Sequence, residues 1–255
     1  MHSLIDSHVH LDLPPFDADR PWVIERAHAA GIGQMVLPAV DLASWARIAQ
    51  LAREQTGVHP AYGLHPLYLA RHQPSHVDRL KAWLTDQPAI AIGEIGLDFH
   101  QAGLDHDLQR FYFTHQLQVA HERGLPVIVH ARQALEEVIL TLRRRAGLHG
   151  VVHSFSGSEQ QARRLWDMGF HLGIGGPVTY ERAQRLHRIV ATMPIEFLLL
   201  ESDAPDQPDA AHRGQRNEPA RITEVLRCIA TLRGESEGHV AEATTNNARR
   251  LFGLT

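Results

Sequence analysis

Two histidines two residues apart, His8 and His10, stand near the start of the 255-residue chain. Four more groups able to bind a cation follow, each at or just beyond the end of an apolar run. Glu94 comes after Ile90-Ala91-Ile92-Gly93, His130 after Val127-Ile128-Val129, His153 after Val151-Val152, and Asp203 just beyond Leu198-Leu199-Leu200. Imidazole and carboxylate are the usual ligands of catalytic divalent ions. One zinc-like catalytic ion uses three protein ligands and keeps a position open, so six ligands suit two ions that share a carboxylate. The only lysine, Lys81, lies in a helical stretch and is badly placed to bridge. Glu94, at a strand end, is the expected bridge. The chain has 19 histidines, and an isolated one is more often structural or solvated. His28, His72, His76, His106 and His121 are read that way.

The elements that must bring these groups together alternate along the chain. Strands are expected at residues 4–9, 34–38, 61–64, 89–93, 126–129, 150–152, 169–173 and 196–200, where hydrophobicity is nearly continuous, as in parallel strands buried on both faces. Alternate side chains of a strand share a face, so His8 and His10 can reach one ion. Helical stretches lie between the strands. Asp19, Ser44 and Ser158 are expected N-caps, with Pro21 inside the first turn after Asp19. In the helix around 108–123, Phe113, Leu117 and Ala120 form a buried stripe, and Gly124 ends it. Two further helices are expected at 218–232 and 237–252. Eight such repeats predict a single-domain α/β fold, a (β/α)8 TIM-like barrel over 1–255, with a doubly wound open sheet as the alternative. In a barrel, the carboxyl ends of the strands form one face, and that is where active sites are built.

The bulk numbers agree with a soluble globular protein: 44% hydrophobic and 21% charged residues. A net charge of −4 argues against a broad basic platform for duplex nucleic acid, without excluding phosphates met by bound metal. Cys228 is the sole cysteine, which rules out an internal disulfide and reads as a small buried hydrophobe. The apolar run 197–200 is too short to cross a bilayer. With no signal peptide recognised at the start, the expected setting is cytoplasmic, with no membrane and no obligate protein partner. The segment Gly173-Ile174-Gly175-Gly176-Pro177 lacks the spacing of a dinucleotide loop and reads as a turn. Trp22, Trp45, Trp83 and Trp166 fall in helical stretches and read as packing residues.

The motifs carrying these groups resemble the TatD family of metal-dependent hydrolases, among the amidohydrolase-like barrels. They are Asp6-Ser7-His8-Val9-His10-Leu11, Gly63-Leu64-His65-Pro66, Ile92-Gly93-Glu94-Ile95-Gly96-Leu97-Asp98-Phe99, and Pro126-Val127-Ile128-Val129-His130-Ala131-Arg132. His153-Ser154-Phe155-Ser156-Gly157, Glu201-Ser202-Asp203-Ala204-Pro205, Arg216-Asn217-Glu218-Pro219 and Asn247-Ala248-Arg249-Arg250-Leu251-Phe252-Gly253 complete the set. The likeness spans nearly the whole chain, in the family's order. Ser202 and Ala131 depart from it mildly, where the family often has Thr, and Thr or Ser.

The resemblance implies a TIM-like barrel and metal-dependent deoxyribonuclease activity on single-stranded DNA, from the 3′ end. It implies that His8, His10 and Asp203 hold one divalent ion, that His130 and His153 hold a second, and that Glu94 bridges. Mg²⁺ or Mn²⁺ suits phosphodiester chemistry, whereas four imidazoles also suit Zn, Fe or Ni. The expected reaction is attack of an acidified water on a phosphodiester, with Asp203 and Glu94 as catalytic groups and Asp203 taking the proton. His65, Arg132, Arg216 and Asn217 are the candidates to contact substrate, with a loop-stapling salt bridge or turn hydrogen bond as the plainer reading. Glu201 and Asp98 are expected to orient ligands. The stretch 206–214 resembles the family's variable substrate loop. Some relatives remove D-amino acids from tRNA, so an acyl-ester or amide hydrolase is the alternative, and a non-catalytic metal-binding protein a more distant one.

Overall fold

In the computed structural model, which describes residues 4–255, eight strands alternate with helices. The order is β1 (Leu4–Asp6), α1 (Arg20–Ala29), β2 (Ile32–Pro38), α2 (Leu42–Glu54), β3 (Val58–Tyr62), α3 (Ser75–Asp86), β4 (Ala91–Asp98) and α4 (His106–Arg123). Then come β5 (Val127–Arg132), α5 (Leu135–Arg143), β6 (Gly150–Val152), α6 (Glu159–Trp166), β7 (Phe170–Ile174), α7 (Gln184–Thr192), β8 (Leu198–Leu200), α8 (Ile222–Arg233) and α9 (Glu237–Phe252). The strands form one sheet in sequence order, and every neighbouring pair is parallel. An open doubly wound sheet would reverse its order partway, and this one does not. The amide of Ser7 donates to the Leu200 carbonyl at 3.0 Å and that of Asp203 to the His8 carbonyl at 2.9 Å, bringing β8 back beside β1. The fold is a (β/α)8 barrel.

Two apolar layers follow from the two faces of the strands. Leu4, Ile32, Met35, Leu37, Ile92 and Val129 point outward into the main core, where they meet helix residues such as Phe113, Leu117 and Ile139. The barrel interior is filled by one residue from each of seven strands: Ile5, Val36, Ala61, Ala91, Ile128, Val151 and Leu199. Ala248, Leu251 and Phe252, on the last helix, pack beneath this layer. One end of the barrel is thus plugged by apolar side chains, which leaves the other for polar groups. Asn247 ties the same helix to the sheet, its Nδ2 donating to the carbonyls of Ile195 (2.7 Å) and Leu198 (2.9 Å).

Local boundaries differ from the sequence expectation for identifiable reasons. β1 stops at Asp6, so His8 and His10 lie beyond it, whereas Glu94 and His130 lie inside β4 and β5. The start of the 196–200 strand is a turn of 3-10 helix, Ile195–Phe197. Helix α2 is capped by Asp41 rather than Ser44. The Asp41 carboxylate accepts from the Ser44 amide at 3.0 Å while Ser44 reaches back to the Asp41 amide, so Ser44 is the other half of a capping box. Asp19 holds the N-cap position of α1 without a side-chain capping bond, because its carboxylate is bound to Arg216. Ser158 caps α6 and Gly124, with φ 64°, ends α4, as expected. Trp22 departs from the packing role expected of the tryptophans, being 61% exposed at the first turn of α1.

Truncating the plug tests the layered core. Phe252→Ala is expected to cost about 3–5 kcal/mol, seen in a thermal melt as a fall in Tm of roughly 6–20 °C. An unchanged melting temperature would contradict the packing.

Candidate metal centre

The polar end of the barrel is built by the same period-two alternation that fills its interior. Two residues beyond Ile128 and Val151 come His130 and His153, and beyond Leu199 come Glu201 and then Asp203, all entering from above the apolar layer. β4 breaks this rule. Its register against β5 shifts between Ile92 and Ile95, which turns Glu94 inward and sends Ile95 to the outer core. Simple alternation would have pointed Ile95 at the site. Close contact between the strands also demands glycine here. A Cβ on Gly96, whose φ is 144°, would stand 2.0 Å from the His130 carbonyl oxygen, and one on Gly173 would stand 2.0 Å from Glu201 Oε2.

Glu94 is the hub. It is buried, and its two oxygens face different partners. Oε2 lies 3.2 Å from His8 Nε2 and 3.4 Å from His10 Nε2. Oε1 lies 2.8 Å from His153 Nε2, 3.0 Å from His130 Nδ1 and 3.0 Å from His65 Nε2. Asp203 Oδ1 sits on the first side, 3.5 Å from His8 Nε2 and 3.7 Å from His10 Nε2. Donor atoms bonded at about 2.1 Å to a tetrahedral ion stand about 3.4 Å apart. The six expected ligands are therefore brought together at coordination-like spacings, in two groups divided by one carboxylate.

The outward nitrogens decide which imidazoles offer a lone pair to this space. His10 Nδ1 is 3.1 Å from the Pro38 carbonyl and donates to it, so Nε2 is the nitrogen that faces Glu94. His130 Nε2 donates to Asp98 Oδ2 at 2.9 Å, leaving Nδ1 free toward the centre. Glu201 Oε1 backs the His153 ring, 3.8 Å from Nδ1, and accepts from the Ser154 amide at 2.5 Å. Asp98 and Glu201 thus stand behind His130 and His153, where orienting groups were expected. His65 is different. Its Nδ1 accepts from the Leu67 amide at 3.1 Å, so Nε2 carries the hydrogen and points a donor, not a lone pair, at Glu94. His65 fits a hydrogen bond to an anion better than a bond to a metal.

Electrostatics show what the pocket lacks. Burial lowers the proton affinity of His10 and His153, but Glu94 and Asp203 outweigh it and lift them to about 9 and about 10. Burial raises the Glu94 carboxyl, yet His65, His153 and His8 hold it well below the usual range. Burial pushes Glu201 up to about 8 and Asp6 to about 7, and raises Asp203 as well. A cluster of buried carboxylates that keeps protons on two imidazoles is calling for positive charge. Divalent cations supply it, and the donors present fit them. Among the described residues, His8 Nδ1 and His153 Nδ1 are buried without a hydrogen-bond partner.

Several residues that hold the centre were not singled out as functional from sequence. Asp6, fully buried, accepts from the Ser202 amide (2.9 Å), the Ser202 hydroxyl (2.6 Å) and the His8 amide (3.2 Å), locking the segment of His8 to that of Asp203. On α4, Gln109 clasps the amide and carbonyl of Asp98, both at 2.8 Å. Gln116 clasps those of Leu64 at 2.7 and 3.1 Å, next to His65. The two glutamines are seven apart on a buried face, so a polar pair interrupting the stripe of Phe113 and Leu117 was the available signal. Gln207 donates to Asp203 Oδ2 and accepts from the Ser154 hydroxyl at 2.8 Å. Ser154, Asp203 and Gln207 all have positive φ, 47°, 55° and 51°, so strained backbone gathers at this face.

The remaining expected contacts divide. His65 and Arg132 line a cleft of about 870 Å³ whose floor includes His10, Glu94, His130 and Asp203. Arg216 does not line it. Its guanidinium bonds both oxygens of Asp19 at 2.7 Å and reaches Glu218 at 2.9 Å, so it staples loops together. Asn217 is buried and donates to the Ser202 carbonyl at 2.8 Å, supporting the Asp203 segment from outside the cleft. Lys81 pairs with Glu122 at 3.1 Å, away from the centre.

The sequence model of the family described as TatD related DNase matches residues 5–253. The chain belongs to the TatD family. The metal-dependent hydrolase YjjV of Escherichia coli K12 is 38% identical over 253 residues, covering 98% of both chains. The 3′-5′ ssDNA/RNA exonuclease TatD of Cronobacter sakazakii is 35% identical over 256 residues, covering 98% of this chain and 97% of its own. The crystal structure of YjjV superposes with a TM-score of 0.95 at 36% identity, over 100% of this chain and 99% of that one. This TatD-family protein is a metal-dependent hydrolase.

Adding Mn²⁺ or Zn²⁺ to chelator-treated protein is expected to raise Tm. At 100-fold excess over Kd the gain is about 2.7 kcal/mol, or roughly 5–10 °C. His8→Ala should abolish most of the rise, and an equal rise in that variant would contradict the ligand set.

Proposed function

We propose that this TatD-family hydrolase cleaves phosphodiester bonds of single-stranded DNA from the 3′ end, with two divalent ions. The observation that carries this reading is the division of donor nitrogens between the two oxygens of Glu94, at the floor of a cleft that also holds Arg132 and the His65 N–H. His8, His10 and Asp203 would hold one ion, His130 and His153 the other, and Glu94 both. When bound, the ions supply Lewis acidity that makes a water nucleophilic near neutral pH and draws charge from the phosphate. Mn²⁺ or Mg²⁺ is the pair proposed for use, with Zn, Fe or Ni also suited to the imidazoles.

The protein's own groups do the rest. Asp203 turns Oδ1 toward His8 and His10, while Oδ2 is held in the cleft by Gln207 Nε2 and accepts the water's proton there. Burial, by raising the proton affinity of this carboxyl, makes it a stronger base than an exposed aspartate. His65 offers its Nε2 hydrogen to a phosphate oxygen; burial lowers its proton affinity to about 4, so it serves as a neutral donor. Arg132, the last residue of β5, offers two parallel N–H bonds to the same phosphate. The exonuclease name of the Cronobacter relative supports the substrate class.

Asp203→Asn is expected to lower kcat/KM on single-stranded DNA by about 10²–10⁴ with Mn²⁺ present, and His130→Ala by a comparable factor, with folding checked by thermal melts. Full activity in both variants would refute the assignment. A wild-type enzyme that releases no nucleotide from DNA but hydrolyses a D-aminoacyl-tRNA ester would replace this reading with acyl-ester hydrolysis.

A further inference from the structure

Two arginines that no part of this reaction uses also face the cleft. The connection from β7 to α7 carries Arg182, and the first turn of α7 carries Arg185. Both line the cleft together with Arg132 and Asp203. Among the described residues neither forms an ion pair with a carboxylate. Arg188, one turn further along the same helix, is paired with Glu159 at 3.2 Å, and Arg216 is consumed by Asp19 and Glu218. Arg185 Nη2 donates to the carbonyl of Ser156, another cleft residue, at 2.7 Å, which uses one of its five N–H groups. Arg182 lies over the Tyr180 ring, 5.3 Å from its centroid.

Beside them the cleft continues into a shallower hollow of about 480 Å³, and Pro177, Arg182, Ala183 and Gln207 line both. The hollow is lined by two proline rings and an aromatic ring, those of Pro177, Pro208 and Tyr180, whose hydroxyl donates to the Pro208 carbonyl at 3.1 Å. Hydrolysis of one phosphodiester at the ions needs neither unpaired guanidinium nor a stacking shelf. A chain of nucleotides needs both, a cation for the neighbouring phosphate and a planar surface for the base it carries.

We propose that Arg182 and Arg185 form a subsite for the phosphate next to the scissile one, with the hollow of Pro177, Tyr180 and Pro208 seating the attached base. This rests on the phosphodiesterase reading and deepens it: the substrate is a single-stranded polynucleotide held across at least two phosphates, not a mononucleotide or a small ester. Because phosphates bound through arginine release counterions, the subsite has a signature in binding alone, independent of metal and of turnover.

The test is fluorescence anisotropy of a labelled hexathymidylate with chelator-treated full-length protein, titrated over a range of salt. The variant R182A/R185A is expected to bind about tenfold more weakly, with the slope of log affinity against log salt reduced by about 0.7, the value for one lost phosphate. R182K/R185K should recover the slope and most of the affinity, which a merely structural role for the guanidinium groups would not allow. Y180A should weaken binding several-fold without changing the slope. Equal affinity and slope in wild type and R182A/R185A would overturn the subsite, as would absence of wild-type binding at about 20 mM salt. Cleavage is read separately: intact nuclease activity alongside unchanged binding in the variants would remove the subsite and keep the reaction. Salt-dependent binding by a wild type that cleaves no DNA would keep the subsite and remove the reaction.

Discussion

A single buried carboxylate, Glu94, organises this molecule. An anion in a protein interior is tolerated only when compensated, and here compensation comes from five imidazoles whose nitrogens lie 2.8–3.4 Å from its oxygens. Those imidazoles are spread over a stretch from His8 to His153. Nothing local could gather them, so the barrel exists, in functional terms, to bring them to one point. Four further carboxyl groups, Asp203, Glu201, Asp98 and Asp6, stand behind or beside the rings. Imidazoles and carboxyl groups gathered in this way are the donor set that divalent cations take.

The division of the barrel into an apolar and a polar end follows from one geometric rule. Inward positions along a strand are two residues apart, so above the layer of Ile5, Val36, Ala61, Ala91, Ile128, Val151 and Leu199 come His130, His153 and Glu201, while Glu94 enters through the irregularity of β4. The last helix seals the apolar end with Ala248, Leu251 and Phe252. Loops are free to vary at the polar end because the strands beneath are rigid. Even so, many of those loops are pinned by buried polar side chains. Asp6 ties the first strand to the last, Gln109 and Gln116 hold the residues around Asp98 and His65, and Asn217 holds Ser202. Each satisfies backbone groups that burial would otherwise strand, at about 1–3 kcal/mol apiece, and each thereby sets the position of a neighbouring chemical group.

The arginines at the rim show how context separates identical residue types. Arg216 sits in a motif shared with the family yet spends its charge on Asp19 and Glu218, whereas Arg132, Arg182 and Arg185 keep theirs for the cleft. A chain with an overall charge of −4 can still gather three guanidinium groups along one cleft.

Much of this was written in the sequence alone. The alternation of apolar runs with helical stretches pointed to a (β/α)8 barrel, with an open doubly wound sheet as the alternative, and the placement of His8, His10, Glu94, His130, His153 and Asp203 at the ends of those runs pointed to one shared face. Both are properties of periodicity, which is local and survives without coordinates. What periodicity could not supply was phase and partner. The irregularity of β4 that turns Glu94 inward, the premature end of β1 before His8, the tautomers set by Pro38, Asp98 and Leu67, and the capture of Arg216 by Asp19 all depend on atoms distant in the chain. A side chain's chemistry is inscribed in its type, but its protonation, direction and availability are set by whatever the fold packs against it.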